Sequence, residues 1–271
     1  MTSGDLDIDL GVLIHEPEDV YHAKASEFLS SHPLADFRKS PLLYYKRRLG
    51  LIDDIDRPAY LLGRAAHVRI LEGRDRYNQA FAVGGPINPK TGKSYGANTN
   101  AFAEWAAAQG KPVLTAEQAQ LIENMAVGVA MNERAVDLIV DGVAEGVIRG
   151  EMNGVRCQIR IDWLNPHRGI VDLKTCDDLT WFEADARRYG YAYQVAFYRS
   201  VLLHATDLLV PVHFIAIEKK EPFRAGVWLV SEETLAQCAR ENAAAIERIK
   251  DCDRLGNWPT GYEEVRVFDA I

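Results

Sequence analysis

The chain has 271 residues, 48% of them hydrophobic and 26% charged, as expected for a globular protein with a sizeable core. Its net charge of -8 argues against a protein that coats nucleic acid nonspecifically, but it leaves room for carboxylates that hold metal ions. No stretch approaches the roughly 20 apolar residues that cross a bilayer. The first residues, MTSGDLDIDLG, also lack the basic and apolar pattern of a secretory signal, so we expect a cytoplasmic protein with no membrane partner.

The N-terminal part is predicted to be mainly helical. Residues 1–25 are acidic and aperiodic, which indicates a flexible arm. The next segment, SPLLYYKRRLG, has serine and proline at its start and Gly50 just past its end, as a capped helix does. Residues 57–73 contain apolar side chains at helical spacing and predict a second, largely buried helix.

A long loop interrupts this helical region. From residue 75 to residue 100 the sequence is dominated by Gly, Pro, Asn and Lys, a composition typical of a functional or disordered loop. Two further helices, 99–110 and 115–132, follow the loop. We interpret residues 26–141 as a helical elaboration that covers a sheet.

After Gly142 the pattern changes to β-strands. Three strands are predicted, the first two joined by an Asn153-Gly154 turn, which is the strongest short hairpin signal. A helix over 182–205, two more strands and a closing amphipathic helix over 231–255 complete the chain. This order predicts an α/β fold with a mixed central sheet, in which 142–271 form the sheet core of a single domain over 26–271.

Two aspartates lie on predicted strands joined by the turn NPHRG. Side chains two apart share one face of a strand, so Asp172 and Lys174 point the same way. If the loop has three residues, 166–168, and Gly169 has a positive φ angle, Asp162 lies directly opposite Asp172, with about 5 Å between their Cβ atoms. A loop one residue longer would leave the two carboxylates diagonal to each other.

Two opposed carboxylates destabilise a sheet unless something offsets their repulsion. Lys174 supplies part of that, and a divalent cation such as Mg²⁺, which prefers oxygen ligands, would supply more. A metal can activate water, and a lysine can stabilise charge that develops on a phosphate, so the cluster suits phosphodiester hydrolysis. The alternative is a structural Asp-Lys pair on an exposed sheet face.

An ordered set of motifs resembles the PD-(D/E)XK nuclease superfamily, in particular its RecB-like branch and the RecE-type recombination exonucleases of phages. The motifs are GRAAH with Gly63 and His67, AEG with Glu145, RID with Asp162, DLK with Asp172 and Lys174, and QVAFY with Gln194 and Tyr198. The resemblance extends from about residue 26 to about residue 205. It implies a restriction-endonuclease-like αβββαβ core whose mixed sheet is flanked by helices.

The resemblance also implies roles for particular residues. The implied metal ligands, for Mg²⁺ with Mn²⁺ as a substitute, are His67, Asp162, Asp172, the backbone carbonyl of Leu173 and, less securely, Glu145. The implied catalytic residues are Lys174, Asp172, Asp162 and Gln194. Tyr198, four residues after Gln194 on the same helix face, is a candidate DNA-binding residue. Arg64 and Arg160 are further candidates because their charge suits DNA phosphates. Glu151 is an alternative to Glu145 because it lies on the same predicted strand.

The activity implied by the resemblance is digestion of linear double-stranded DNA from its ends, in the 5′ to 3′ direction, during recombination or repair. Such exonucleases form ring-shaped homo-oligomers and supply single strands to an annealing protein. Two other functions stay open at this point: a structure-specific or restriction-like endonuclease of the same superfamily, and a DNA-binding protein with a degenerate site.

Overall fold

A computed structural model describes residues 6–52, 58–96 and 98–268. The α-helices of the described residues are α1 (Glu18–Ala23), α2 (Ser31–Lys39), α3 (Pro41–Arg48), α4 (Pro58–His67), α5 (Gly73–Ala80), α6 (Asn100–Ala108), α7 (Ala116–Ala130), α8 (Glu133–Ile139), α9 (Phe182–Tyr189), α10 (Tyr191–Thr206) and α11 (Glu232–Leu255). The strands are β1 (Ala82–Val83), β2 (Val113–Leu114), β3 (Val143–Met152), β4 (Val155–Asn165), β5 (Gly169–Cys176), β6 (Val212–Glu218) and β7 (Ala225–Leu229). Among these helices, none combines the length and apolarity needed to cross a membrane.

The main sheet has the order β3-β4-β5-β6-β7, in which β5 and β6 are parallel and the other neighbours antiparallel. One face packs against α2, α10 and α11, and the other packs against α4, α7 and α8. The connection from β5 to its parallel neighbour β6 runs through α9 and α10, as parallel pairing requires. The predicted α/β fold with a mixed sheet between helices is therefore confirmed.

The hairpin between β4 and β5 has the predicted loop. Asn165 pairs with Gly169, which leaves residues 166–168 as a three-residue connection, and Gly169 has a φ angle of 82°. The ladder then runs as far as the pair Trp163–Val171. Asp162 and Asp172 are the next residues in this register, so the loop length places the two carboxylates on opposite strands.

Replacing Gly169 with alanine is expected to destabilise the fold strongly. A Cβ atom there would lie 2.2 Å from the backbone oxygen of Pro211, and the positive φ angle would be strained as well. We expect a loss of about 3 kcal/mol in the free energy of unfolding, measured by urea denaturation.

The matched control is Gly154→Ala in the β3–β4 turn. Gly154 has a φ angle of 75°, but a Cβ atom there would meet no other atom within 4 Å. The control therefore carries backbone strain alone, about 1 kcal/mol. Equal losses in the two variants would show that the contact with Pro211 is unimportant.

The N-terminal segment differs from the predicted flexible arm wherever the structure describes it. Residues 6–25 contain the short helix α1, and Ile8, Leu13 and Tyr21 are buried. The composition is acidic, but Ile8 and Leu13 add to the same core as the helices on one face of the sheet. Burial of a few large side chains thus overrides the composition that suggested an arm.

Ile14 and Leu29, which both precede α2, pair with both edges of the β3–β4 hairpin. Ile14 forms an antiparallel bridge with Val147 of β3, through backbone hydrogen bonds of 2.8 and 3.0 Å. Leu29 forms a parallel bridge with Cys157, on the part of β4 that lies beyond its ladder with β5. Residues 14 and 29 therefore cover backbone groups that these two strands would otherwise expose.

The helices predicted over 57–73 and 182–205 need correction, and one further helix was not predicted. The helix predicted over 57–73, of which residue 57 lies outside the described residues, changes to a π-helical turn after His67 and continues as α5. Residues 75–80 of the predicted loop are therefore helical. Buried Tyr77 anchors this otherwise polar helix. The short helix α8 was not predicted; it follows α7 after a cap formed by Asn132.

The helix predicted over 182–205 is in fact two helices, α9 and α10. Gly190 separates them in the left-handed conformation, with a φ angle of 72°. Hydrophobic spacing alone did not reveal this break, because apolar and aromatic residues continue across it.

Glu218 at the end of β6 is a buried carboxylate with several donors. It accepts hydrogen bonds from the Leu179 backbone N–H at 2.8 Å and from the Arg224 guanidinium at 2.6 Å. The Arg224 hydrogen bond, joined by that of Leu179, lowers the pKa of Glu218 to about 2. This carboxylate connects β6 to the segment that leads into α9.

Replacing Glu218 with glutamine is expected to lower the free energy of unfolding at neutral pH by about 2 kcal/mol, a value reduced because Arg224 is half exposed. The folded-state pKa, about 2, lies below the ordinary value of 4.5. The stabilisation is therefore complete above about pH 4.5 and is lost as the pH falls towards 2. Urea unfolding of both proteins from about pH 7 to about pH 3.5 measures this dependence. A difference that stayed constant with pH would show that the charge of Glu218 is not its cause.

Candidate active site

Asp162 lies where β4 and β5 stop pairing. Its Oδ2 atom accepts a hydrogen bond of 2.9 Å from the backbone N–H of Leu173. The carboxylate thus satisfies a β5 donor just past the last backbone pair, Trp163–Val171. Beyond the pair Trp163–Val171 the two strands therefore separate, and acidic side chains line the opening between them.

His67 reaches this opening from the last turn of α4. Its Nδ1 atom donates to the Gly63 carbonyl at 2.8 Å, and its Nε2 atom lies 2.7 Å from the Leu173 carbonyl and 3.2 Å from Asp162 Oδ2. Carbonyl oxygens only accept, so both ring nitrogens carry protons in this arrangement. Burial lowers the pKa of His67, but the Asp162 carboxylate raises it more, to about 9.

Asp172 is almost completely buried, with 1% of its surface exposed. The Lys174 ammonium is 2.6 Å from its Oδ2 atom, yet neither carboxylate oxygen has a well-aligned hydrogen bond within the described residues. Burial raises the pKa of Asp172 to about 6; the nearby Asp162 charge adds to the rise and Lys174 opposes it. Burial also raises the pKa of Asp162, but His67 and Lys174 outweigh it, so the net shift is downward. The two carboxylates thus occupy different electrostatic environments.

Helix α10 holds Lys174 from the other side. The lysine Nζ donates to Gln194 Oε1 at 3.0 Å, and Gln194 Nε2 donates to Tyr198 Oη at 2.9 Å. The ammonium also lies 4.7 Å from the centre of the Tyr191 ring. Three side chains of one helix therefore fix the position of the lysine, directly or through a neighbour.

Two of these α10 residues differ from expectation. Tyr198 is buried, with 6% of its surface exposed, and it contacts Gln194, so the structure does not offer it as a direct DNA contact. Tyr191 was not predicted, although it precedes Gln194 by three residues and so lies on the same side of the helix. That spacing was the only available signal in the sequence.

Glu145, and not Glu151, lies beside the site. In the β3–β4 register it is opposite Asp162, and it has a φ angle of 57°. Burial and the Asp162 charge raise the pKa of Glu145 to about 7. Glu151 lies near the far end of the hairpin, where it is exposed and pairs with Arg156.

The two predicted DNA-binding arginines have different surroundings. Arg160 is largely covered and donates through Nε to the Glu145 carboxylate at 2.5 Å. Arg64 is exposed on α4, three residues before His67. The charges of both arginines act on Glu18 of α1, whose pKa is lowered first by its hydrogen bond with His22 and then by Arg160 and Arg64. Glu18 was not predicted to lie near these arginines, because it belongs to the segment expected to be an arm.

The donor atoms of the cluster suit a hard divalent cation. As they stand, no three His, Cys, Asp or Glu side chains of the described residues are arranged to hold a metal ion. His67 and Lys174 instead contact the two carboxylates. The observation that favours a cation is that the buried oxygens of Asp172 have no well-aligned hydrogen bond among the described residues, although the Lys174 ammonium is close. Carboxylate and carbonyl oxygens are the ligands that Mg²⁺ prefers.

Comparisons with known proteins identify a family and a similar fold. Residues 30–270 match the model of a family described as "PDDEXK-like domain of unknown function (DUF3799)". The chain is also similar to the crystal structure of a protein from Eubacterium rectale described as a "Putative exonuclease", with a TM-score of 0.67 and 15% sequence identity. This similarity covers 95% of the chain and 97% of the other protein, and it shows a shared fold. No curated protein is significantly similar to the sequence.

Proposed function

Because the chain belongs to the family of PDDEXK-like domains (DUF3799), we propose that it is a metal-dependent deoxyribonuclease. The observation that carries this proposal is the buried Asp172, whose oxygens lack aligned hydrogen bonds although the Lys174 ammonium is 2.6 Å away. The alternative is a structural Asp-Lys ion pair on an exposed sheet face. Such a pair would be solvated, and its lysine would not require a hydrogen bond to Gln194. Burial and the hydrogen bond from Lys174 to Gln194 both argue against it.

The proposed ligands of a divalent cation are Asp162, Asp172, the Leu173 carbonyl and His67. When bound, such a cation lowers the pKa of a water molecule and stabilises charge on a phosphate. His67 must lose a proton to become a ligand, and its Nδ1–H bond to Gly63 leaves Nε2 as the atom available for this.

Lys174 is the proposed catalytic cation, and residues of α10 hold it in position. We infer that its ammonium orients the attacking water and stabilises the negative charge that develops on the scissile phosphate. Gln194 and Tyr191 keep the ammonium in place, and Tyr198 keeps Gln194 in place. Preorganised positive charge of this kind is most effective in a site from which water is largely excluded.

The finer proposal is an exonuclease that degrades linear double-stranded DNA from its ends. The similarity of fold to the Eubacterium rectale protein, described as a "Putative exonuclease", supports this choice over an endonuclease. We further propose RecE-type properties from the motif resemblance: digestion in the 5′ to 3′ direction, a ring-shaped homo-oligomer, and an annealing protein that receives the single strand in recombination or repair.

A single digestion experiment tests these proposals. Linear duplex DNA, labelled at either the 5′ or the 3′ end, and covalently closed circular DNA are incubated with the protein in Mg²⁺, Mn²⁺ or EDTA. We expect linear DNA to be degraded with either metal, with early release of the 5′ label, and no reaction in EDTA. Cleavage of closed circles would establish an endonuclease instead. Absence of cleavage of any DNA with either metal would refute the nuclease assignment.

A further inference from the structure

The break between α9 and α10 brings two tyrosines together. Residues two apart in a continuous α-helix lie about 200° apart around its axis, so Tyr189 and Tyr191 would face opposite ways. The left-handed Gly190 between them changes the chain direction, and the two rings stack with centroids 5.8 Å apart and planes 29° apart. The interruption of the helix therefore places the rings of Tyr189 and Tyr191 against each other.

The stacked rings form a path from the candidate site to the surface. Tyr191 is half-buried, and the Lys174 ammonium lies 4.7 Å from its ring. Tyr189 is 58% exposed, although its ring is large and apolar. The Arg188 guanidinium lies 5.5 Å from the Tyr189 ring, and Arg187 is exposed on the same turn. The exposed Tyr189 ring is thus separated from the lysine by the Tyr191 ring alone, and Arg188 lies beside the exposed ring.

We propose that Tyr189 stacks on a nucleobase of the DNA strand being cut, and that Arg188 contacts that strand's backbone. This inference rests on the proposed function. Every base has an aromatic face, so stacking on tyrosine suits an enzyme that does not select sequence. Lys174 lies 4.7 Å from the Tyr191 ring, and that ring lies 5.8 Å from the Tyr189 ring. Together these two steps span only a few stacked bases at about 3.4 Å each.

The stacking partner is a base with a free face. An interior base of a duplex is stacked on both sides, so Tyr189 can reach only a base at a DNA end or in a single strand. The need for a free base face matches an enzyme that works from DNA ends. A site for intact duplex would have no such base to stack on Tyr189.

Binding measurements with and without the base test the inference. The probes are duplexes with a short single-stranded end, in which the end nucleotides are either intact or abasic, and Ca²⁺ replaces Mg²⁺. The proteins compared are the parent, Tyr189→Ala, Tyr189→Phe and Tyr262→Ala. Tyr262 is the matched control because it is a 72% exposed tyrosine with the Arg266 guanidinium 4.1 Å from its ring, outside the candidate site.

We expect the parent to bind the intact end about 10-fold more tightly than the abasic end, since one stacked base contributes this much or more. Tyr189→Ala should bind both ends equally, whereas Tyr189→Phe and Tyr262→Ala should keep the preference. A purely structural role for Tyr189 would change both affinities alike and leave the preference intact, which would overturn the inference.

The outcomes also separate this inference from the proposed function. If the parent degrades DNA but Tyr189→Ala keeps the preference for intact ends, Tyr189 does not stack on a base, whereas the proposed nuclease activity is supported. If the parent neither binds nor degrades any of the DNA molecules, both proposals fail.

Discussion

Replacing Lys174 with alanine is expected to slow DNA cleavage by about 1000-fold, the scale on which loss of one preorganised donor affects catalysis. The ammonium is 2.6 Å from Asp172 and is held by Gln194, so no other cation of the described cluster replaces it at that position. The rate of release of labelled nucleotides in Mg²⁺ measures the effect. The folded structure should persist, since Asp172, whose pKa is already raised to about 6, can take up a proton when its partner is removed.

The matched control is Lys219→Ala. Lys219 directly follows β6 and forms an ion pair with Asp177 at 2.9 Å. Like the Lys174 variant, this control loses one lysine that is paired with an aspartate, but outside the candidate site. We expect it to cleave DNA at close to the parent rate. Full activity in the Lys174 variant, or an equal loss in both variants, would contradict the role assigned to Lys174.

The second large effect concerns binding of the metal itself. Mg²⁺ or Mn²⁺ should stabilise the parent protein against unfolding, by about 2.7 kcal/mol when the metal is at 100 times its dissociation constant. Asp172→Asn should remove most of this stabilisation, because a carboxylate with two buried oxygens is replaced by a neutral amide with one. Thermal unfolding at increasing metal concentration measures the difference without any cleavage assay.

An aspartate five residues further along the same segment provides the comparison. Asp177 is exposed and paired with Lys219, so Asp177→Asn removes a charge without changing the cluster. This variant should gain as much stability from the metal as the parent does. If Asp172→Asn gained the same amount, Asp172 would not be a ligand, and the site would have to be sought elsewhere.

The central hairpin could be predicted because its determinants are local. The residues from Pro166 to Gly169 fix the loop length, the loop length fixes the register, and the register opposes Asp162 to Asp172. The mixed sheet followed from the order of strands and helices in the same way. Patterns of this kind need no knowledge of distant contacts.

Other features depend on long-range packing, which no local pattern reports. Residues 6–25 looked like a solvated arm because their few apolar side chains find partners only in the folded core. The approach of His67 to the Leu173 carbonyl joins residues 106 positions apart, and only the motif resemblance pointed to it. The stacked Tyr189 and Tyr191 depend on a helix break that hydrophobic spacing could not show.

The bridges that Ile14 and Leu29 make with β3 and β4 bear on how fragments of this protein should be chosen. The family match begins at residue 30, so a fragment designed on that boundary would lack both bridging residues. Two strand edges would then present unsatisfied backbone groups, which promote pairing between molecules. Size-exclusion chromatography should show such a fragment as aggregates and the full chain as a discrete species. We therefore expect the residues before the matched region to keep the protein soluble by covering these strand edges.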